Sequence, residues 1–193
     1  MNGFEKIISI SDYSVDTRHT CFLGSYLRKL FRGMDVDQKH LRRVFGQFAT
    51  GVTLIVGLDS KGEKSAFTAT SFNTVSLEPP LAVFSVSKTG RVGAHLLQCE
   101  TFIVNVLAEY QADISDLFGR PAALKDRSQA LSDMEHEWGV RVPDVLAVMR
   151  CVPFLTQDVG DHVLFVVRIV DAVFEEDKKP LIFFSSRYHG VHD

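Results

Sequence analysis

Short polar side chains are concentrated between Thr68 and Ser76, where six of nine residues carry a hydroxyl or an amide. The double proline Pro79-Pro80 follows shortly after and restricts the backbone there. Hydroxyls and backbone amides at this density suit a polar heterocycle, because each of them can donate or accept a hydrogen bond. A threonine-rich edge strand would have the same composition, and composition alone favours that simpler interpretation.

Two further stretches could carry chemistry. Residues 87–91 (Ser-Lys-Thr-Gly-Arg) place two cations and two hydroxyls at the start of a predicted helix. Backbone N–H groups at a helix start, together with Lys and Arg, suit a phosphate, although the same string is common in ordinary turns. Residues 160–162 (Gly-Asp-His) enter a long predicted strand, and a simple turn is the alternative interpretation there.

Motifs for nucleophilic, P-loop and zinc chemistry are missing from the sequence. It contains no GxxxxGK[ST], GxGxxG, HExxH or GxSxG string. His136-Glu137 lacks a second histidine, and His189 with His192 is more typical of solvated side chains than of a metal site. The residues alone therefore predict a small-ligand site without a metal and leave its ligand open.

Composition narrows the class of protein. Hydrophobic residues make up 46% of the 193 residues and charged residues 23%, as in an ordinary globular protein. The net charge of −3 argues against a nucleic-acid partner, which needs a surplus of Lys and Arg. No apolar run is long enough to span a bilayer, so no membrane association is expected. Three widely spaced cysteines, Cys21, Cys99 and Cys151, predict reduced thiols and a cytoplasmic protein.

The pattern of elements predicts a mainly β fold. Residues 1–35 are expected to form an arm outside the main domain of residues 36–193, either as a disordered leader or wrapped around a partner subunit. Asp37 is a candidate N-cap for a helix whose apolar face carries residues at the spacing i, i+3, i+4, i+7. Strands are predicted at 51–57, from 64, and at 81–87, 101–107, 148–157, 162–174 and 180–185, with short helices at 89–98 and 109–118. Six or seven strands joined by short turns favour a closed or nearly closed antiparallel barrel.

The order of the motifs resembles that of a known family. Residues 41–53 (LRRVFGQFATGVT), 68–72 leading into 75–81 (VSLEPPL), 102–107 (FIVNVL) and 160–162 (GDH) follow one another as they do in the short-chain flavin reductases. These are the NAD(P)H:flavin oxidoreductase components of two-component flavin-dependent monooxygenases. The resemblance extends over residues 36–188, and the motifs are specific when taken together.

This resemblance implies a split β-barrel homodimer that binds the flavin in a groove near the subunit interface. The segment along the isoalloxazine ring would be Thr68, Ala69, Thr70, Ser71 and Phe72, with Thr74 and Ser76 beside it. The turn that holds the ribityl phosphate would comprise Ser85, Val86, Ser87, Lys88, Thr89, Gly90, Arg91 and Val92, with Lys88, Thr89 and Arg91 as its ligands. Gly160, Asp161 and His162 would face the nicotinamide, with His162 positioning it, and Tyr188 would lie at the pocket mouth.

The activity implied by the resemblance is hydride transfer from C4 of NADH or NADPH to N5 of FMN or FAD. The reduced flavin would then diffuse to a partner monooxygenase. Four residues depart from the family pattern: Gly90 and Val92 remove hydroxyls from the phosphate turn, Ser186 replaces a frequent glycine, and Arg168 replaces a small residue. Two alternatives therefore stay open, namely a flavin-binding carrier without reductase activity and a flavoenzyme that acts directly on an organic substrate.

Overall fold

The computed structural model describes residues 37–89, 91–120 and 124–191. The chain divides into two compact units, residues 1–43 and 44–193. The arm predicted for residues 1–35, together with Cys21 and Gly90, lies outside the described residues, so the arm stays a prediction.

The first described helix, α1 (Gln38–Phe45), begins where the sequence predicts it. The carboxylate of Asp37 accepts hydrogen bonds from the backbone N–H groups of Lys39, at 3.1 Å, and His40, at 3.2 Å. Asp37 is therefore the N-cap, since it satisfies donors that the helix itself leaves free. The apolar side chains near the end of this helix are exposed in the single chain, with Phe45 at 66% and Phe48 at 75%.

Strands and short helices make up the rest of the described chain. The strands are β1 (Thr50–Gly51), β2 (Thr53–Asp59), β3 (Lys64–Ala69), β4 (Asn73–Leu77), β5 (Pro80–Ser87), β6 (Cys99–Val106), β7 (Glu135–His136), β8 (Gly139–Val140), β9 (Ala147–Val159), β10 (His162–Phe174), β11 (Ile182–Phe184) and β12 (Arg187–His189). The remaining helices are α2 (Arg91–Leu96), α3 (Ala112–Gly119) and α4 (Leu124–Asp133). No helix of the described residues is long and apolar enough to cross a membrane.

Seven strands form one antiparallel sheet in the order β3-β2-β6-β9-β10-β5-β4. The sheet is open, because β3 and β4 each pair with a single strand, so the expected closed barrel is not confirmed. The sheet is nevertheless curled. The ring of Phe67 on β3 lies 5.9 Å from that of Phe84 on β5, although these strands are far apart in the ladder. Ser71 lies in the link between β3 and β4. Its hydroxyl bonds both the N–H and the carbonyl of Ser85 on β5, each at 3.1 Å, whereas no ladder joins β3 to β5.

Each face of the sheet carries a hydrophobic core. The concave face is filled by rings, with Phe84 stacked on Phe165 at 5.2 Å and Phe102 edge-on to both. The other face is covered by α3, α4 and the β11–β12 hairpin, and its core includes Phe118, Leu131 and Leu181. Strands β2 and β6 have buried residues on both faces, which explains their nearly continuous apolar sequences.

The long hairpin of β9 and β10 agrees closely with its predicted pattern. Gly160 takes a φ of +57° in the turn, and β10 occupies the predicted residues 162–174. The register against β10 shifts between Leu155 and Pro153, and β6 pairs with β9 only as far as Cys151. Pro153 thus lies at a bulge on an unpaired strand edge, where a residue that cannot donate to a ladder is tolerated.

The two described cysteines are free and buried. Burial raises the pKa of the Cys99 thiol to about 11 and that of Cys151 to about 12. Both side chains are therefore protonated at neutral pH and pack as small apolar groups.

Candidate functional site

A cavity of about 370 Å³ opens where β3 and β5 end. Eight of the predicted site residues line it: Thr68, Ala69, Thr70, Ser71, Ser85, Val86, Ser87 and His162. Phe67, Phe118 and Gly119 complete the wall. The structure thus brings residues from three separate sequence motifs to one place.

Backbone pairing places the residues around this cavity. His162 begins β10 and lies opposite Ser87, the last residue of β5. The Nδ1 atom of His162 is 2.7 Å from a carboxylate oxygen of Asp161, which fixes the orientation of the ring. This hydrogen bond also holds the pKa of Asp161 below its usual value, so the carboxylate is ionised at neutral pH.

The predicted phosphate turn lies beside the cavity. The N–H of Lys88 donates to the carbonyl of Asp161 at 3.0 Å, so the turn after β5 is joined to the β9–β10 turn. The hydroxyls of Ser87 and Thr89 bond each other at 2.8 Å. The Nζ atom of Lys88 lies 3.2 Å from a carboxylate oxygen of Asp158.

Helix α2 follows this turn and is shorter than predicted. It ends at Leu96 rather than near residue 98 and has only six residues. A Cβ atom on Gly93 would lie 2.5 Å from the carbonyl oxygen of Ser87, so the helix packs directly on the end of β5. So short a helix has a weak dipole, and the side chains of Lys88 and Arg91 are the stronger source of positive charge here.

A second cavity of about 350 Å³ adjoins the first and shares Thr68, Thr70 and Gly119 with it. Its other lining residues are Val52, Ser115, Asp116, Arg120, Phe183, Ser186 and Tyr188. A Cβ atom on Gly119 would lie 3.3 Å from the Cβ of Thr68, so glycine lets the end of α3 approach β3 closely. The hydroxyl of Thr68 donates to the carbonyl of Ser115 at 2.6 Å, and this hydrogen bond also stabilises the contact between α3 and β3.

Tyr188 connects the C-terminal hairpin to α3. Its hydroxyl donates to the carboxylate of Asp116 at 2.7 Å and lies 2.8 Å from the hydroxyl of Ser115. Arg120 holds the same carboxylate at 3.0 Å. Burial raises the pKa of Tyr188, and the hydrogen bond to Asp116 raises that pKa further, so the phenol stays protonated and remains a donor.

We expect Tyr188→Phe to lower the free energy of unfolding by about 1–2 kcal/mol. The reason is that Ser115 and Asp116 lose their hydrogen bonds to the half-buried hydroxyl of Tyr188. Urea denaturation measures the change. Tyr110→Phe is the matched control, since the hydroxyl of Tyr110 bonds the carbonyl of Asp144 in an exposed position. Equal losses in both variants would contradict a special role for the Tyr188 contacts.

Several predicted residues do not line either cavity. Phe72 and Val92 pack against the concave core, and Thr74 and Ser76 lie on β4 at the edge of the sheet. Lys88, Thr89, Arg91, Gly160 and Asp161 lie in the flanking turns or at the start of α2. Thr74 and Ser76 lie outside both cavities because β4 pairs along β5, and their place beside the flavin ring stays a prediction.

Sequence reasoning missed the residues that α3 contributes. Ser115, Asp116 and Arg120 follow no recognisable motif, and Gly119 with Arg120 is typical only of the end of a helix. A further departure has a structural consequence: Ser186 takes a φ of +62° in the β11–β12 turn, a conformation that favours glycine.

A third cavity, of about 550 Å³, lies at the other end of β3 and contains none of the predicted site residues. Charged side chains and Trp138 line it, and the ammonium of Lys64 is paired there with Glu135. Within the described residues, no group of three His, Cys, Asp or Glu side chains could hold a metal ion.

The residues around the first two cavities fit a flavin. They offer hydroxyls, backbone groups and, in the flanking turn, cations, which match the polar ring edge and the phosphate of such a molecule. Within the part of the chain that the structure describes, the exposed hydroxyl of Thr70 has no hydrogen-bond partner and is free for a ligand.

Comparisons with known proteins agree with this geometry. The sequence model of the flavin reductase like domain matches residues 45–192. The reductase subunit HsaB of a flavin-dependent monooxygenase from Rhodococcus jostii is 34% identical over 157 residues, which are 81% of this chain and 79% of that protein. The NADH-dependent flavin reductase StyB of Pseudomonas fluorescens is 32% identical over 81% of this chain and 92% of its own length.

Other relatives are longer than this chain, and solved structures share its fold. The chain spans only 57% of the stachydrine N-demethylase reductase subunit Stc3 of Rhizobium meliloti, to which it is 39% identical, and 42% of a probable flavin reductase of the same organism. Among solved structures, the NADH:FAD oxidoreductase SgcE6 of Streptomyces globisporus, in complex with NAD and FAD fragments, superposes with a TM-score of 0.70 at 28% identity. That match covers 79% of this chain and 92% of SgcE6.

Proposed function

Since the chain belongs to the flavin reductase family, we propose that it catalyses the reduction of FMN or FAD by NADH or NADPH. The observation that carries the proposal is the convergence of three family motifs on one cavity of about 370 Å³. When both cofactors are bound, a hydride passes from nicotinamide C4 to flavin N5, and this chemistry belongs to the cofactors. The protein supplies binding, orientation and exclusion of water.

In this proposal the end of β3 and the residues after it would hold the isoalloxazine ring. Thr70 and Ser71 present hydroxyls and backbone groups to the polar edge of the ring. Thr68 is held by Ser115, and Ser71 by Ser85, so the wall that contacts the ring is rigid. A wall held in this way would orient the ring for transfer of a hydride to it.

The flanking turns are proposed to hold the other two ligand groups. Lys88, Thr89 and Arg91, in the turn that follows β5, would hold the phosphate with two cations and a hydroxyl. His162, whose ring is oriented by the carboxylate of Asp161, would contact the nicotinamide. No side chain needs to act as an acid or a base.

The reduced flavin is proposed to leave and supply a partner monooxygenase. HsaB and the trigonelline monooxygenase reductase of Acinetobacter baylyi are named as reductase components of flavin-dependent monooxygenases, which supports a partner of this kind. Two buried free thiols support a reducing, cytoplasmic location.

We also propose a homodimer. Beyond Cys151, β9 pairs only with β10 within the described residues, and its unpaired edge exposes Phe154 at 52%, Leu155 at 49% and Val159 at 54%. An apolar strand edge of this kind is normally covered, and a second copy of the chain would cover it.

Light scattering of the full chain is therefore expected to give the mass of a dimer, and Phe154→Glu to shift it towards a monomer. A buried charge at an interface destabilises association by several kcal/mol. Ser60→Glu is the control, since it adds the same charge in the exposed turn between β2 and β3, away from this edge, and should remain dimeric. A wild-type protein that is monomeric at all concentrations contradicts the proposal.

The test of the proposed activity is the oxidation of NADH and NADPH by the purified chain, followed by absorbance with FMN or FAD added and with flavin omitted. We expect oxidation that depends on added or bound flavin with at least one combination. A yellow protein inert to both nicotinamides would identify a flavin carrier instead. Turnover of an organic substrate in the absence of any oxygenase would identify a directly acting flavoenzyme.

A further inference from the structure

Asp158 lies near the end of β9, outside every motif of the sequence, and its carboxylate is 3.2 Å from the ammonium of Lys88. Lys88 is the cation that the proposed function assigns to the flavin phosphate. The side chain of Asp158 is 72% exposed and that of Lys88 36%, so both can move without disturbing the core.

We propose that Asp158 is a positioning residue that competes with the flavin phosphate for Lys88 and thereby lowers the affinity for flavin. The inference rests on the proposed function, since it requires Lys88 to bind phosphate. Its consequence is that the flavin binds weakly enough to leave after reduction.

The charges of the two adjoining turns support this role. Lys88 and Arg91 contribute two positive charges, and Asp158 and Asp161 contribute two negative charges. An incoming phosphate therefore meets a turn region without net positive charge, unlike a typical phosphate site. The ammonium has three donors and could contact both anions, but the carboxylate would then repel the phosphate beside it.

The effect of Asp158 acts on the side chain of Lys88 and not on its backbone. The N–H of Lys88 donates to the carbonyl of Asp161 at 3.0 Å, and this bond does not involve the ammonium group. The turn that carries His162 therefore keeps its place when the Lys88 side chain changes partner. Asp158 should affect flavin binding and leave the use of the nicotinamide unchanged.

The test compares the dissociation constants of FMN and riboflavin, which differ by the phosphate, for wild type and Asp158→Asn. We expect FMN to bind about two- to fivefold more tightly to the variant, as the loss of an exposed ion pair allows. Riboflavin binding should not change, and the gain for FMN should shrink as salt rises. Asp171→Asn, which removes an exposed carboxylate from β10 of the same hairpin, is the matched control and should leave both constants unchanged.

A second background isolates the ion pair. In Lys88→Gln, the additional Asp158→Asn substitution should change FMN affinity by much less than in wild type. A full effect in that background, an equal gain for riboflavin, or no gain for FMN in Asp158→Asn overturns the inference. A wild-type protein that binds neither FMN nor riboflavin contradicts the proposed function itself, so the two failures are distinguishable.

Discussion

Replacing both Lys88 and Arg91 with alanine is expected to weaken FMN binding about 100-fold while riboflavin binding changes less than about twofold. Each cation can form a charge-assisted hydrogen bond to phosphate, and such bonds contribute about 1.5–3 kcal/mol. Two of them together account for about 3 kcal/mol, which corresponds to the expected factor. Titration of flavin fluorescence or absorbance with each variant measures the change.

The fold should tolerate this double substitution, because both residues are exposed and the only described ion pair that is lost joins Lys88 to Asp158. We expect the free energy of unfolding to change by less than about 1 kcal/mol. Lys61→Ala with Arg150→Ala is the control, since it removes the same charge from two exposed sites away from the phosphate turn, the β2–β3 turn and β9. An equal loss of riboflavin and FMN binding would show that these residues do not contact a phosphate.

The strands could be predicted from the sequence where alternation or β-branched residues mark them. Residues 162–174 form β10 as predicted, and the turn at 59–62 lies between β2 and β3. The two-residue strands such as β7 and β8 were not found, because so short a segment has no period to recognise.

Whether the sheet closes could not be decided from the sequence. Closure depends on whether the first and last strands meet, and this contact is set by curvature accumulated over seven strands. In the structure Phe67 on β3 reaches Phe84 on β5, and Ser71 in the link between β3 and β4 bonds Ser85, but no ladder joins β3 to β5.

The residues of the candidate site that belong to family motifs can be predicted from the sequence. The residues that a helix contributes through tertiary packing cannot. Ser85, Ser87 and His162 belong to family motifs and meet at the cavity. Gly119 joins them, and Asp116 lines the adjoining cavity, only because α3 packs across β3, a contact between elements about 45 residues apart in the chain. The ion pair of Lys88 was missed for the same reason, since its partner lies on a different strand.

Replacing His162 with alanine is expected to lower kcat/KM for the reduced nicotinamide about 10- to 100-fold. The substitution removes a ring that lines the cavity and is held by Asp161, and one positioned hydrogen bond accounts for a factor of this size. The dissociation constant of FMN should stay within about twofold, because the residues assigned to the flavin ring and phosphate are intact. Steady-state kinetics and flavin titration of the same preparation measure the two effects.

Asp161→Asn tests whether the orientation of the His162 ring matters, since this variant keeps the ring and changes only the group that orients it. The amide keeps the size of Asp161 but no longer presents a carboxylate to Nδ1, so the ring is held less firmly. We expect a loss in kcat/KM smaller than that of His162→Ala, and no further loss when both substitutions are combined. Additive losses would show that Asp161 acts on the nicotinamide independently of His162.

The outcome that contradicts the role of His162 is an equal fall in flavin and nicotinamide binding in His162→Ala. Such a result would show that the ring supports the whole cavity, because a residue that contacts only the nicotinamide should leave flavin binding unchanged.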